Sequence, residues 1–317
     1  MELTFLFSRL IAIALALLID LMVGERNNRF HPVVLMGNYI RAFTDRWNKG
    51  SPQQRLKNGF FLIVGGGILF AIPLILLNRL LSTLPFWANG LLTGLLLKPT
   101  FAFTALIKAG REVAARLQKG DLPEARRLLG WHLVSRPTEH LSEGHIASGV
   151  IESLTENLTD SLFAPLFFFA LGGLPFAWFY RFVNTSDAMV AYRTTELEHF
   201  GKVTAYLDDL LNWIPARLSG FSLVLSASFV RLNPHHAFTV MINQNQRTSS
   251  PNAGWTMAAA AGALEVTLEK ANDYRLEGGA NLPTVKNIET CISFLQVASV
   301  VILLLIGGIL VFISFIL

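Results

Sequence analysis

Glu152, Glu156 and Asp160 stand four residues apart in IESLTENLTDSLFAPLFFFALGG, residues 151–173. On an α-helix, positions four apart drift by only about 40°. The three carboxylates therefore share one face, with Asn157 at its edge. Like charges at this spacing repel and weaken an isolated helix. No Lys or Arg lies between Pro137 and Arg181 to relieve them. The pattern predicts a cation brought from outside the segment, and oxygen ligands suit Mg²⁺ shared with a phosphate. An acidic face solvated at the dipole-favoured N-terminal end of a membrane helix accounts for the same residues.

Two further clusters repeat the theme. FVNTSDAMVAYR carries Asn184, Asp187 and Arg193 directly after an apolar run, and YLDDLLNWIPAR carries Asp208, Asp209, Asn212 and Arg217 directly before one. Either alone is compatible with a helix cap. Three clusters of one type, each against an apolar segment, point to a shared site for a metal and a polyanion. Candidate anion binders surround them: His31 in RFHPVVLMGNYI, Arg136 in VSRPTEHL, and Ser250 and Asn252 in SSPNAGW, where a helix is expected to start after the Pro-Asn turn. Helix starts bind anions through free N–H groups. The histidines lack zinc-site spacing, and there is no GxxxxGK[ST] or GxGxxG loop.

The elements that must position these residues are membrane segments. Of 317 residues, 52% are hydrophobic and 15% charged, against about a quarter charged in a soluble domain. Apolar runs cover Leu3–Val23, Gly59–Leu81, Leu84–Ile107, Ser161–Val183, Ile214–Val230 and Ile292–Leu317. About 20 apolar residues cross a hydrocarbon core. The expected fold is an all-α polytopic membrane protein with four to six such segments and amphipathic cytoplasmic helices, as a single domain over residues 1–317. Its polar segments are 24–58, 108–160, 184–212 and 231–290. AGREVAARLQKGDLPEARRLLGWHLV predicts two amphipathic helices split at Gly120-Asp121. Gly172, Gly173 and Pro175 predict that 161–183 is re-entrant, which covered backbone tolerates. The same doubling back is considered for 214–230, and the glycines at 65–67 are expected to serve packing.

The first run has Glu2 in its n-region and Asp20 where small residues would mark cleavage, so it is expected to stay as an anchor. The basic segment 26–57 places that loop in the cytoplasm. This also accounts for the net charge of +4 without nucleic acid, for which there is no aromatic-rich basic stripe. The single cysteine, Cys291, excludes an intrachain disulfide.

Taken together, DLMVGERNNRFHPVVLMG, IESLTENLTDSLFAPLFF, YRFVNTSDAMVAYR, FGKVTAYLDDLLNWIPARL and SPNAGWTMAAAAGALEV resemble, in order and spacing, the adenosylcobinamide-phosphate synthases, the CobD/CbiB family of cobalamin biosynthesis. The resemblance runs from about Ile19 to Gly279. It implies a multi-pass enzyme of a prokaryotic cytoplasmic membrane with a cytoplasmic active site. The implied reaction joins a carboxylate of adenosylcobyric acid to aminopropanol phosphate, or a related amino-alcohol phosphate, as an amide. ATP would be the co-substrate and Mg²⁺ the cofactor. Other late-pathway enzymes, a second copy of the chain and membrane lipid are the expected partners.

On that resemblance the matching polar positions form the site. Glu152, Glu156, Asn157 and Asp160 would position metal or substrate, with Asp187 and Asp208 or Asp209 completing the shell or deprotonating the amine. Glu156, Asp160 and Asp208 are the expected metal ligands. Arg136, Arg193 and Arg217 would hold phosphates, and His31, Asn184, Asn212, Ser250, Asn252 and Tyr274 would bind substrate. The chain departs from the pattern at Pro137, where an acid is usual, at Ala188 and Ala191, and in the loose TLEKANDYRLEGG. A Mg²⁺-dependent prenyl- or alcohol-phosphate transferase would also use acidic motifs, but with more symmetric spacing. A transporter would show matching broken halves, and a non-catalytic scaffold would tolerate the change at Pro137.

Overall fold

The structure is a computed structural model and describes residues 2–25, 30–192, 194–271 and 273–316. Among the described residues its regular structure is helical apart from one short hairpin. In chain order the helices are α1 (Glu2–Val23), α2 (Pro32–Trp47), α3 (Pro52–Phe70), α4 (Ile72–Leu81), α5 (Phe86–Leu97), α6 (Phe103–Gln118), α7 (Leu122–His132), α8 (Glu143–Leu158), α9 (Ala164–Val190), α10 (Lys202–Leu211), α11 (Trp213–Ala227), α12 (Pro234–Gln244), α13 (Ala253–Leu264) and α14 (Val285–Ile316). Among the described residues, six helical stretches are long and apolar enough to cross a membrane: Leu3–Val23, Pro52–Leu81, Phe86–Gln118, Glu143–Val190, Trp213–Val230 and Val285–Ile316. The protein is a multi-pass membrane protein. The chain divides into two compact units, one formed by Met1–Ala102, Ala164–Leu211 and Ile306–Leu317, the other by Phe103–Phe163 and Asn212–Leu305.

In the first unit, α1 and α5 pack along small residues. A Cβ on Gly90 would come within 2.8 Å of the Ser8 carbonyl oxygen, and one on Gly94 within 2.8 Å of that of Ala12. This G-x-x-x-G spacing on α5 lets two backbones approach where lipid supplies no hydrophobic drive between helices. Ser8 Oγ donates to Asn89 Oδ1 across the same seam at 2.9 Å. The expected packing role of residues 65–67 holds. Gly66 leaves room for the Phe182 ring, which a Cβ would meet at 1.9 Å. Phe182 joins Met36, Ile40, Leu62 and Phe200 in a buried cluster shared by α2, α3, α9 and the segment before α10.

Helix α9 is broken at Gly173, whose φ of 70° and ψ of −157° are outside the helical region. Only glycine reaches such a conformation without strain. The Phe168 and Tyr180 rings stack with centroids 5.2 Å apart. Twelve residues of straight helix would rise about 18 Å, so the break bends the two arms toward one another. This is the bend that Gly172, Gly173 and Pro175 predict.

In the second unit, α6 and α7 are the two expected amphipathic helices. Gly120 turns the chain at φ 72°, and Asp121 caps α7 by accepting from the Glu124 N–H at 3.3 Å. Helix α13 is buried almost all round, with Ala258–Ala261 wholly inaccessible; such a helix belongs inside a core. The fold departs from the all-α expectation in one place. Strands β1 (Thr267–Lys270) and β2 (Tyr274–Glu277) pair antiparallel, Thr267 opposite Glu277 and Lys270 opposite Tyr274. Four-residue strands carry too little alternation to outweigh a helical neighbourhood in the sequence, and a two-stranded hairpin needs tertiary packing to persist.

Candidate functional site

The acidic face of α8 does not stay uniform. Its three carboxylates meet three environments: Glu152 is buried, Glu156 exposed and Asp160 half-buried. The helix also changes pitch. Residues Thr159–Phe163 form a π-helical turn, which holds more residues than an α turn and rotates Asp160 off the α-helical register. The single face expected of Glu152, Glu156 and Asp160 is therefore interrupted after Leu158.

Glu152 already has its cation. Its Oε2 lies 3.0 Å from Arg136 Nη2 and accepts from the Tyr274 hydroxyl at 2.7 Å. Its Oε1 accepts from Ser148 Oγ at 2.6 Å, and Ser148 Oγ in turn accepts the Glu269 N–H of β1 at 2.8 Å. The cation expected from outside the segment is supplied at Glu152 by a side chain, Arg136. Arg136 comes from the loop before α8 and supplies the charge directly, and it faces Glu152 where a phosphate was expected. A buried carboxylate needs such a set, because an ionised group without partners is costly to bury. The β-hairpin explains how Tyr274 arrives there. Burial, reinforced by the neighbouring Glu152 and Glu156 and opposed by Arg136, raises the Tyr274 phenol well above its ordinary value. It is a proton donor, not a base. Asn157 points its amide back along α8, donating to the Ser153 carbonyl at 2.9 Å and to Ser153 Oγ at 3.2 Å.

A second group in the same unit surrounds Arg217. Its guanidinium lies 4.2 Å from the Trp213 ring centroid and 4.9 Å from that of Trp255. It donates through Nη1 to the Trp213 carbonyl at 2.6 Å and to Asn252 Oδ1 at 3.3 Å. Two indole faces hold the planar cation by cation–π attraction. Asn252 is buried immediately before α13. Ser250 Oγ accepts the N–H groups of Asn252 and Ala253 at 3.2 and 3.4 Å. The helix expected after the Pro-Asn turn starts there, and Ser250 organises that start. Asn212, also buried, precedes α11 without capping it by its side chain.

In the first unit, Asn184 and Asp187 lie within α9, not beyond its end, because the helix continues to Val190. Asn184 Nδ2 makes a long contact of 3.5 Å to Asp208 Oδ1 on α10, and Arg181 Nη1 lies 3.5 Å from Asn184 Oδ1. Asp208 and Asp209 are both half-buried. Arg193 lies outside the described residues.

His31 belongs to a different set. Its Nε2 lies 3.2 Å from Glu25 Oε2, and its Nδ1 faces the Val33 N–H at 3.4 Å, capping α2. Glu25 also pairs with Lys98, which in turn pairs with Asp20 at 3.2 Å. Lys98 and Asp20 are 7% and 3% exposed, so this network runs into the core. Burial lowers the His31 pKa, with Lys98 and Arg181 lowering it further and Glu25 opposing them. In the sequence Lys98 is a break in the apolar run 84–107; its union with Asp20 and Glu25 spans more than seventy residues of chain and has no local signal. Ser148 and the two tryptophans carry no charge to mark them in the sequence; their only signal is position, Ser148 one turn before Glu152 and both tryptophans inside the polar motifs.

Among the described residues no three His, Cys, Asp or Glu side chains converge to hold a metal ion. Each unit thus carries polar groups from the motifs: Glu152, Arg136, Tyr274, Arg217 and Asn252 in one, and His31, Asn184 and Asp208 in the other.

Comparison with known proteins agrees with the motif order. The family model described as CobD/Cbib protein matches residues 13–303. The chain is 41% identical over 269 residues to the probable cobalamin biosynthesis protein CobD of Methanothermobacter thermautotrophicus, covering 85% of this chain and 87% of that protein. It is 39% identical to the cobalamin biosynthesis protein CobD of Dehalococcoides mccartyi, covering 84% and 86%. It is 34% identical to that of Clostridium perfringens, covering 84% of each. No solved structure matches.

Proposed function

The chain belongs to the CobD/CbiB family, and from that premise we propose that it is an amide-forming ligase of cobalamin biosynthesis, joining a carboxylate of adenosylcobyric acid to an amino-alcohol phosphate. The observation that carries the reading is the set around Glu152. Arg136 from the loop before α8 and Tyr274 from the β-hairpin join Ser148, one turn earlier on α8, in hydrogen-bonding one buried carboxylate. That arrangement holds α8 in one setting, so that Glu156 and Asn157 one turn on are presented in a defined geometry. The active site is assigned to the cytoplasmic side because the basic segment 26–57 favours that face.

A carboxylate anion has no adequate leaving group for attack by an amine. Transfer of the γ-phosphoryl group of ATP to a carboxylate oxygen gives an acyl phosphate and ADP. The amine nitrogen then attacks the carbonyl carbon, the C–O bond to phosphate breaks, and the amide forms as inorganic phosphate leaves. The ammonium proton passes to a base, a role suited to Asp208 or Asp187. Arg217 keeps guanidinium donors beyond those used on Trp213 and Asn252, and these suit a phosphate oxygen. Its indole walls restrict it to one plane. Arg136 serves as a positioning residue through Glu152, and Tyr274 as a donor.

The residues present fit Mg²⁺. It needs hard oxygen ligands, and it is commonly held by one or two carboxylates with the remainder from substrate phosphates and water. Glu156 on α8 and Asp160 in the turn that follows it are the oxygen donors assigned to it. When bound it would neutralise phosphate charge.

The deciding assay incubates purified protein in detergent with adenosylcobyric acid, ATP, Mg²⁺ and each candidate amino-alcohol phosphate, and follows amide product by mass spectrometry. Product should require ATP and fall at least about a hundredfold in Glu156→Gln or Asp208→Asn, as loss of an electrostatic or acid–base group does. Near-normal rates in both variants would remove the assignment.

A further inference from the structure

Arg9 lies on α1 within an apolar span and is half-buried. Its Nη1 donates to the Phe169 and Ala170 carbonyls at 2.8 and 2.5 Å. Those are two of the last four carbonyls before the break at Gly173, so Arg9 caps the first arm of α9 at its negative end. The cap uses one nitrogen only. Among the described side chains no carboxylate pairs with Arg9. An arginine inside a membrane span without a counter-charge is costly and marks a functional site.

Its remaining donors face a cavity of about 640 Å³ within the first unit, a size that takes a small ligand or headgroup. Ser8, Asn78, Ser82 and Asn89 contribute polar lining. Asn89 is spent on Ser8, Thr93 and the Leu81 carbonyl. The Asn78 side chain makes no hydrogen bond among the described residues. Gly173 forms part of the wall. A Cβ there would lie 3.4 Å from Arg9 Nη2 and 4.0 Å from Asn78 Nδ2, so the absence of a side chain keeps both donors open to the same space. The cavity reaches the turn between α4 and α5 at Ser82–Pro85. Around that end Leu3, Phe7, Phe86 and Trp87 are exposed, an apolar rim with a tryptophan of the kind found at membrane interfaces.

We propose that this cavity binds the phosphate of a membrane phospholipid, with Arg9 Nη2 and Asn78 Nδ2 as donors and the acyl chains lying along the exposed rim. A cation, a neutral amide donor and a glycine-lined wall suit a phosphate oxygen, and the surrounding apolar surface suits a lipid over a free ion. The cavity shares no residue with the amide-forming assignment, and its test does not read catalysis.

The experiment is native mass spectrometry of the full chain in detergent, with phosphatidylglycerol as probe. Wild-type protein should retain the lipid, and Arg9→Lys and Asn78→Leu should each weaken retention about tenfold, the effect of a lost hydrogen bond to a charged group. Arg79→Gln, an exposed change one residue from Asn78, should bind as wild type does. Asn78→Leu leaves the Arg9 cap intact, so it tests the site even where Arg9→Lys fails to fold. Diacylglycerol with the same chains should not be retained, and inorganic phosphate should not displace phosphatidylglycerol. Equal retention by wild type and Asn78→Leu would overturn the proposal. So would equal retention of diacylglycerol, or displacement by inorganic phosphate, which would assign the cavity to a free anion.

Discussion

The Tyr274 hydroxyl reaches Glu152 Oε2 at 2.7 Å across 122 residues of chain. One end of that bond is on α8 and the other on a β-hairpin. The hairpin thus fixes a carboxylate that would otherwise stand buried with fewer donors than lone pairs. Removing the hydroxyl in Tyr274→Phe leaves Arg136 and Ser148 in place but strips one buried acceptor of a partner. The expected loss is about 1–3 kcal/mol, seen as a lower thermal midpoint in detergent. An unchanged midpoint would mean that the bond contributes nothing.

Arg136, half-buried with its side chain 19% exposed, pairs with the buried Glu152 at 5%. Truncating one partner should hurt more than replacing both. Arg136→Met alone abandons a buried charge, which costs about 3–5 kcal/mol in such settings. Arg136→Met with Glu152→Leu removes both charges and should recover part of that loss. A double-mutant cycle on thermal unfolding checks it; purely additive losses would show that the two side chains act independently.

His31 makes stability depend on pH in a definite direction. Its folded pKa lies below the ordinary 6.5, chiefly through burial. The unfolded chain therefore binds more protons between the folded value and 6.5. The contribution of His31 is fully present above pH 6.5 and is lost as the pH falls through that value toward the folded pKa. Neutral His31 accepts the Val33 N–H through Nδ1, so protonation also removes a helix cap. His31→Asn retains a capping side chain and should flatten the fall in melting temperature between pH 6.5 and 5. A slope identical to that of the wild type would assign the effect elsewhere.

The seam between α1 and α5 predicts a steric phenotype. A Cβ at Gly94 would stand 2.8 Å from a backbone oxygen of α1, and a backbone cannot swing aside as a side chain can. Gly94→Val should cost at least about 1–3 kcal/mol by overpacking, measured as lost detergent stability. Gly307→Val on α14, where a Cβ meets nothing within 4 Å, is the matched control. Equal behaviour of the two variants would remove the close-packing account.

Much of this protein is legible residue by residue. Apolar runs such as Leu3–Val23 announce membrane segments because the bilayer sets their length. Gly120-Asp121 and the Pro-Asn turn announce helix ends because they supply conformations and acceptors that the backbone needs locally. The order of five polar motifs carries the family. The bend at Gly173 is also local chemistry, since few residues but glycine adopt its φ and ψ.

What only the tertiary structure decided is which polar groups meet. In the sequence, Glu152, Glu156 and Asp160 are three equivalent carboxylates lacking a cation. Folding gives Glu152 an arginine, a tyrosine and a serine, leaves Glu156 exposed, and turns Asp160 off register through a π-helical turn. Lys98 likewise changes from an interruption in an apolar run into the partner of Asp20 and Glu25. The reason is the range of the forces. Helix length, caps and bends depend on neighbours within a turn or two, whereas a buried charge is stabilised only by whichever opposite charge the packed helices bring within hydrogen-bonding distance, and that partner can come from anywhere in the chain.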